Sequence, residues 1–394
     1  MKAVILAAGE GKRLRPFTET LPKVMLPVSN KPIIEYVFDA VKKCGINEII
    51  VVVGYKKEVI MQYFKDYKGP KITYVTQDKQ LGTAHALLQT KNYINEPFIV
   101  LSGDNIIDEK SISKLINDES DYSILIKEYL HPSKYGVVYI ENGKLKEIVE
   151  KPKENLGKYI STGLYKLPKS IFKNIEEKTS QGIYDLSSVI ESIVDKGQII
   201  NTIVTDSWMD VVYPWDLIYL NEVMIHNASS STSGKIEKGV TIKGNVSIGK
   251  DTTIYSGCYI VGPVIIGEGC ELGPNTCIFP STTIGNNTVI HPFSQIRNSV
   301  IMKDVRVGSN CFIKNSIVGQ GSIIENSFST RDGMATIEIE GEYNKLKDIG
   351  AMIGEDCNIG SHVVIEPGII IGRKCKILPM KRINNNIDSN SVVM

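Results

Sequence analysis

The sequence predicts a two-part α/β protein, a doubly wound and mostly parallel sheet followed by a parallel β-helix built from hexapeptide repeats. Two observations carry this. Over the first 225 or so residues, apolar strand-like runs alternate with amphipathic helical ones. From Ile236 onward the hydrophobic period changes to six. Between them lies NASSSTSG (227–234), a small polar stretch with the composition of a linker. At 394 residues the chain is long for one domain and suits two, each with its own core.

Taken in order, KAVILAA (2–8) reads as a buried strand. Lys31 to Gly45 reads as an amphipathic helix, with Pro32 suited to its first turn and Gly45 to its end. EIIVVVG (48–54) is a second strand, Glu58 to Tyr67 a helix, KITYV (71–75) a strand and Gly82 to Lys91 a helix. PFIVLSGDN (97–105) is a further strand that ends on an acid. Such a βαβ series places ligands at the carboxyl ends of the strands. From about Tyr122 to Tyr213 more strands follow in looser order.

The second part is more regular. Ile236, Ile242, Ile248, Ile254, Ile260, Ile266, Leu272, Ile278, Ile284, Ile290, Ile296 and Met302 recur every six residues, and Ile353, Ile359, Ile365, Ile371 and Ile377 resume the pattern. Four residues after each early member stands a small or β-branched residue, from Val240 and Val246 to Ser294 and Val300. No helix has that period. A triangular β-helix does: each face is one hexapeptide, the aliphatic side chain points inward and the small one fits the corner. Cys258, Cys270, Cys311, Cys357 and Cys375 fall on the small position, which gives them a packing role rather than redox or metal chemistry. Residues 329–349 break the repeat, and TIEIE within them suggests a strand or hairpin leaving the coil. The last dozen residues are expected to fray.

Composition excludes several classes. A net charge of +1 provides no field to draw in nucleic acid or an anionic membrane. Seven cysteines without a CxxC argue against a disulfide framework. The first apolar run is too short for a signal peptide and no run approaches a membrane span. A soluble cytoplasmic protein is expected.

The stretch LAAGEGKRLRPFTETLPKVMLPV, Leu6 to Val28, gathers Lys12, Arg13, Arg15 and Lys23 around a glycine turn behind the first strand. Such a turn presents backbone N–H groups to phosphate oxygens, and Arg13 can add a bidentate grip. It is neither a dinucleotide fingerprint, since Leu14 replaces the third glycine, nor a Walker loop, since Arg13 follows Lys12. The pattern LAAGxGxRLRP followed by PKxMLPVxxKP resembles the signature of sugar-1-phosphate nucleotidylyltransferases. QDKQLGTAHAL (77–87) is similar to that family's base-binding segment, and the repeat resembles the left-handed β-helix many members carry. The resemblance covers nearly the whole chain.

The resemblance implies a Rossmann-like nucleotidyltransferase domain over 1–226, a linker over 227–234, a left-handed parallel β-helix over 235–383 with the excursion at 329–349, and a tail at 384–394. It implies a reaction in which a hexose 1-phosphate, such as glucose 1-phosphate or N-acetylglucosamine 1-phosphate, attacks the α-phosphorus of UTP or dTTP in line and pyrophosphate leaves. Leu6, Ala8, Gly9, Gly11 and Lys12 would line the nucleotide, Arg13 would hold the triphosphate tail, and Lys23 would neutralise the reacting phosphates. Asp104 and Asp210, in WMD, would hold Mg²⁺. Gln77 would pair with a pyrimidine through one donor and one acceptor, with Gly82 and Thr83 letting the backbone approach the base; His85 is expected to be a helix packing residue rather than a catalyst. Gly136, Glu150, Lys151 and Ser161 match the sugar-contact segments, although most relatives carry Asn at Ser161 and many carry Thr at Lys12.

Some relatives acetylate an amino sugar phosphate on the β-helix. Here Ser309 stands where they have His and Phe312 where they have Tyr, so no such activity is expected; His291 and His362 are expected to pack surfaces or corners. Flat β-helix faces are expected to associate into a homotrimer. Two alternatives differ from the main reading: a bifunctional enzyme that also acetylates, and a non-catalytic nucleotide-sugar-binding regulatory subunit. The presence of Arg13, Lys23, Asp104 and Asp210 argues against the second.

Overall fold

The computed structural model describes residues 1–130, 135–150, 157–227 and 229–394. They form two compact units. One gathers Met1–Glu10, Leu21–Met25 and Pro32–Asp210; the other gathers Gly11–Thr20, Leu26–Lys31 and Val211–Met394. The signature stretch is therefore divided between them, and residues 11–20 and 26–31 belong with the β-helix.

In the first unit the described residues build a nine-stranded sheet. Its order runs Lys71–Thr76, Glu48–Val53, Lys2–Ala7, Phe98–Ser102, Tyr159–Leu167, Ser123–Glu128, Asn201–Val204, Lys144–Glu150, Gly136–Glu141. The first four strands are parallel. Ala3, Val4 and Ile5 are all fully buried because both sheet faces are covered, which is why these strands read as unbroken apolar runs. Val4, Ile50 and Val100 pack toward one face with Leu87, Phe172 and Ile190 of three helices. Ala3, Ile5 and Val51 pack toward the other with Phe38 and Leu115. The first helix spans Ile33–Lys43, with Pro32 just before it and Gly45 just after at φ +76°.

In the second unit three parallel sheets stack coil upon coil as the left-handed β-helix. Ile236 pairs with Ile254, that with Leu272 and that with Ile290, each eighteen residues on. The period then slips. Ile284 pairs with Ile301, Ile290 with Val307 and Ile296 with Ile313, each seventeen residues apart. The inward residue expected at Met302 is therefore Ile301. Two faces, 296–301 and 313–318, are one residue short, and their corners turn through Asn298 (φ 42°) and Asn315 (φ 49°), which are joined side chain to side chain at 2.8 Å. Eighteen-residue pairing resumes after the excursion.

The excursion is a hairpin of Gly333–Ile339 and Glu342–Ile349. Ser329–Thr330, expected to belong to it, remains a rung of the stack. The segment expected to fray does not: Ile387 bridges Ile371, and Lys376 and Ile377 pair with Val392 and Val393.

The small inward positions do more than fit the corners. Thr252 Oγ1 donates to Gly267 O one coil on (2.7 Å) and accepts from Cys270 N (3.0 Å), while the Cys270 thiol donates to Gly285 O (3.2 Å). Ser294 with Cys311 and Ser322 with Cys357 repeat the arrangement. Thr, Ser and Cys recur there because a corner carbonyl buried in an aliphatic column needs a donor. Burial pushes these thiols up, Cys357 to about 12, so they stay protonated.

Candidate active site

Strand register in the first unit builds a largely buried cluster of charge. The strand Phe98–Ser102 runs out at Asp104, and Gly103 N donates to Leu6 O (2.9 Å), tying that end to the first strand. Trp208–Asp210 pairs antiparallel with Asn105–Ile107, setting Asp210 opposite Asn105. Asp104 and Asp210 thereby converge on Lys23, whose ammonium ion-pairs with Asp104 and lies 3.3 Å from Asp210 Oδ1. The three side chains are only 14–20% exposed. Ser102 Oγ also donates to Asp104. Burial opposes the charge on Lys23, but the two carboxylates outweigh it and raise its pKa above the ordinary lysine value. Burial likewise opposes ionisation of Asp104, and Lys23 with the Ser102 hydroxyl overcomes it, holding the carboxyl below its usual range.

A second group surrounds Gln77, which is 3% exposed. Its Nε2 lies 3.1 Å from Gly82 O and 2.9 Å from His85 Nδ1. Its Oε1 has no partner among the described residues and is open as an acceptor. His85 contacts the Gln77 amide through Nδ1 as well as sitting in its helix. A side chain at position 82 would lie 2.5 Å from Tyr184 O, so only glycine fits. Thr83 Oγ1 accepts from Leu186 N (2.8 Å), anchoring the helix start. Ala8 O accepts from Tyr55 N (3.1 Å).

The third group comes from three strands. Gly136 pairs with Glu150, and Ile160 with Val137, which puts Ser161 beside Gly136. A Cβ on Gly136 would stand 2.9 Å from Glu150 Oε2 and 3.8 Å from Ser161 Cβ. A bulge after Ser161, with Gly163 at φ +75°, turns the Ser161 hydroxyl to within 3.1 Å of the Tyr165 hydroxyl, a residue the sequence did not single out. Lys151 lies outside the described residues.

The glycine turn belongs to the second unit from Gly11 onward. Gly11 is left-handed (φ 73°) and Thr18 Oγ1 donates to its carbonyl (2.8 Å), closing the loop on itself. The N–H groups of Gly11, Lys12 and Arg13 find no acceptor among the described residues. Arg13 Nε lies 3.7 Å from Glu340 at the hairpin turn, and the Tyr213 hydroxyl donates to Glu342 on the same hairpin. On the β-helix, His291, Arg306, Glu325, Asn326 and Ser361 line a groove of about 230 Å³. Ser309 N donates to Asn326 Oδ1 (2.8 Å), and Phe312 is 38% exposed. His291, expected to pack, thus borders a cavity.

Among the described residues no helix is long and apolar enough to cross a membrane. Residues 2–225 match the nucleotidyl transferase family model and 260–393 the GMPPB C-terminal domain model. The chain is 36% identical over its whole length, and 97% of the relative's, to the bifunctional protein GlmU of Methanococcus maripaludis. It is 33% identical, over 98% of both chains, to a bifunctional sugar-1-phosphate nucleotidylyltransferase/acetyltransferase of Sulfurisphaera tokodaii. Over 55% of its length and 93% of the relative's it is 39% identical to the UTP–glucose-1-phosphate uridylyltransferase AglF of Haloferax volcanii. The two matched family models and the full-length relatives agree with the resemblance read from the sequence: the chain belongs to the nucleotidyl transferase family and is a sugar-1-phosphate nucleotidylyltransferase.

Proposed function

We propose that the protein joins UTP or dTTP to a hexose 1-phosphate, releasing pyrophosphate, with Lys23, Asp104 and Asp210 at the centre of the reaction. The observation that carries this reading is Lys23 held between the two carboxylates. A phosphate oxygen of the sugar bonds to the α-phosphorus as the bond to the bridging oxygen of the leaving pyrophosphate breaks. Little covalent work falls to the protein, and positioning with charge neutralisation supplies the rate. Lys23 neutralises the α-phosphate and the incoming phosphate. Arg13, Lys12 and the open N–H groups of Gly11 to Arg13, behind Leu6, Ala8 and Gly9, hold the polyphosphate.

Two converging carboxylates with oxygen donors only, already gripping one cation, fit Mg²⁺, whose remaining ligands come from phosphates and water. Asp104 and Asp210 would hold the ion; when bound it supplies charge neutralisation on the triphosphate. Gln77 Oε1 accepts from the imide N–H that uracil and thymine share, which favours a pyrimidine and leaves UTP and dTTP alike. Gly136, Glu150 and Ser161 face the sugar; Lys151 is assigned to it by the sequence signature alone. The names of the relatives favour glucose 1-phosphate or N-acetylglucosamine 1-phosphate. The β-helix serves a homotrimer, and the enzyme works in the cytoplasm without nucleic-acid or membrane partners.

The test is pyrophosphate release with Mg²⁺ across UTP, dTTP, CTP, ATP and GTP against glucose-, N-acetylglucosamine-, glucosamine- and mannose-1-phosphate. A signal in the UTP or dTTP series supports the reading, and silence throughout makes the protein a nucleotide-sugar-binding subunit. Gly136→Ala, which pushes its Cβ against the Glu150 carboxylate, is expected to raise KM for the sugar phosphate about tenfold while KM for the nucleotide stays within twofold. With acetyl-CoA and glucosamine 1-phosphate no free thiol is expected, because Ser309 and Phe312 replace the base and the hydroxyl. Thiol release would overturn that expectation, and its loss in His291→Ala would identify the base.

A further inference from the structure

One β-helix corner departs from its neighbours. Lys250, Glu268, Asn286, Lys303, Gln320, Glu355 and Arg373 stack at the same corner, each carbonyl accepting the N–H one residue further along in the next coil. The first four are exposed and Gln320 and Arg373 partly buried, as corner residues should be. Glu355 is 2% exposed. Burying a carboxylate is costly without compensation, and Glu355 is compensated only in part: Thr20 Oγ1 donates to its Oε2, while its Oε1 is buried with no partner among the described residues. Burial pushes its carboxyl above the usual range, against the opposing influence of Thr20 and Arg373.

What covers it is the end of the glycine loop. Beside Thr20, Glu19 accepts from Ser389 Oγ (2.8 Å), and Ser389 Oγ accepts from Arg373 N (3.0 Å). At the other end of the same loop Arg13 faces Glu340. The segment from Gly11 to Thr20 is thus held at both ends by side chains more than 300 positions further along the chain. An incompletely satisfied buried carboxylate is a poor device for stability, since apolar replacements of such groups are often neutral or stabilising. It is a suitable device for fixing one conformation of a loop whose N–H groups must all be aimed together.

We infer that Glu355 is a positioning residue for nucleotide binding: from the β-helix it fixes, through Thr20, the conformation in which residues 11–13 receive the polyphosphate. This rests on the reaction proposed above. The loss should appear in nucleotide affinity and spare the chemical step.

The experiment compares wild type, Glu355→Gln, Glu355→Ala, Thr20→Val and the Thr20→Val/Glu355→Ala double variant in pyrophosphate release, with UTP and dTTP varied at saturating sugar phosphate and the converse. Glu355→Ala and Thr20→Val should each raise the nucleotide KM about tenfold, with kcat and the sugar-phosphate KM within twofold. The double variant should be no worse than either single one, the mark of one shared contact. Glu355→Gln, which keeps an acceptor for Thr20, should restore the nucleotide KM. Melting temperatures should not fall in step with the KM effect. An inactive wild type would overturn the reaction itself. An active wild type with unchanged nucleotide KM in the variants would overturn the inference. So would a loss shared by both substrates that follows the melting temperature, because that is what a merely structural carboxylate would give.

Discussion

Lys23→Ala is expected to lower kcat by about 10²–10³-fold, the range for removing one preorganised charge from a buried site, with less than a fivefold change in either KM. Steady-state kinetics with UTP and glucose 1-phosphate measure it. The same substitution should also cost stability, because it leaves Asp104 and Asp210 facing each other without their shared cation. The side chains keep 14–20% exposure, so about 2–3 kcal/mol is expected, below the range for a fully buried pair. The pH dependence follows from the two shifts. Asp104 is depressed in the folded state, so its contribution is present above the unfolded carboxyl value of about 4 and is lost as pH falls through the lower folded value. Lys23 is raised, so its contribution is present below about 10.5 and is lost as pH rises through the higher folded value. The wild-type pair should therefore be intact from about pH 4 to 10. The gap in melting temperature between wild type and Lys23→Ala should narrow below pH 5, where one proton relieves the carboxylate repulsion.

Asp104→Asn should cost as much by a different route. The amide cannot neutralise Lys23, which keeps only Asp210, and it removes an anionic oxygen from the cation site. A loss of about 10²–10³-fold in kcat/KM at 1–5 mM Mg²⁺ is expected, in the range for losing one preorganised interaction. The metal concentration for half-maximal rate should rise, so that raising Mg²⁺ recovers part of the loss. Melting curves with and without Mg²⁺ and nucleotide give a second reading: ligand-linked stabilisation should shrink in Asp104→Asn. Equal metal dependence in the variant and wild type would remove Asp104 from the metal site.

The β-helix was legible because each coil needs an aliphatic inward residue at fixed spacing, and Ile248 to Ile296 never miss; Ile236 and Ile242, in the first coil with no rung below them, are exposed instead. The slip to Ile301 was not, because Met302 is also apolar and a period cannot choose between adjacent candidates. The corners gave no clue, since Asn275, Asn287 and Asn310 take positive φ in full-length faces just as Asn298 and Asn315 do in the shortened ones. At the site, chemistry was legible and geometry was not. Asp104 could be recognised as an acid at a strand exit, but its meeting with Asp210, more than a hundred positions away, depends on one antiparallel pairing. His85 stands only eight positions from Gln77, yet its claim on the Gln77 amide depends on how the chain turns at Gly82. The loop's attachments through Thr20 and Glu19 link segments 335 and 370 positions apart, a separation that no periodicity or motif spans.

The hairpin at Gly333–Ile349 shows how such a fold acquires new reach. Val318 pairs with Ile353 and Ile324 with Ile359, thirty-five residues apart, with the same strand geometry that closes seventeen- and eighteen-residue coils elsewhere. Each rung recognises only the rungs above and below it. The stack is thus indifferent to how far the chain wanders between them. An arm can lengthen, shorten or change its charge without disturbing a single inward isoleucine, so Glu340 and Glu342 at its end are free to vary under selection for what they touch, while the column behind them stays under selection for packing alone.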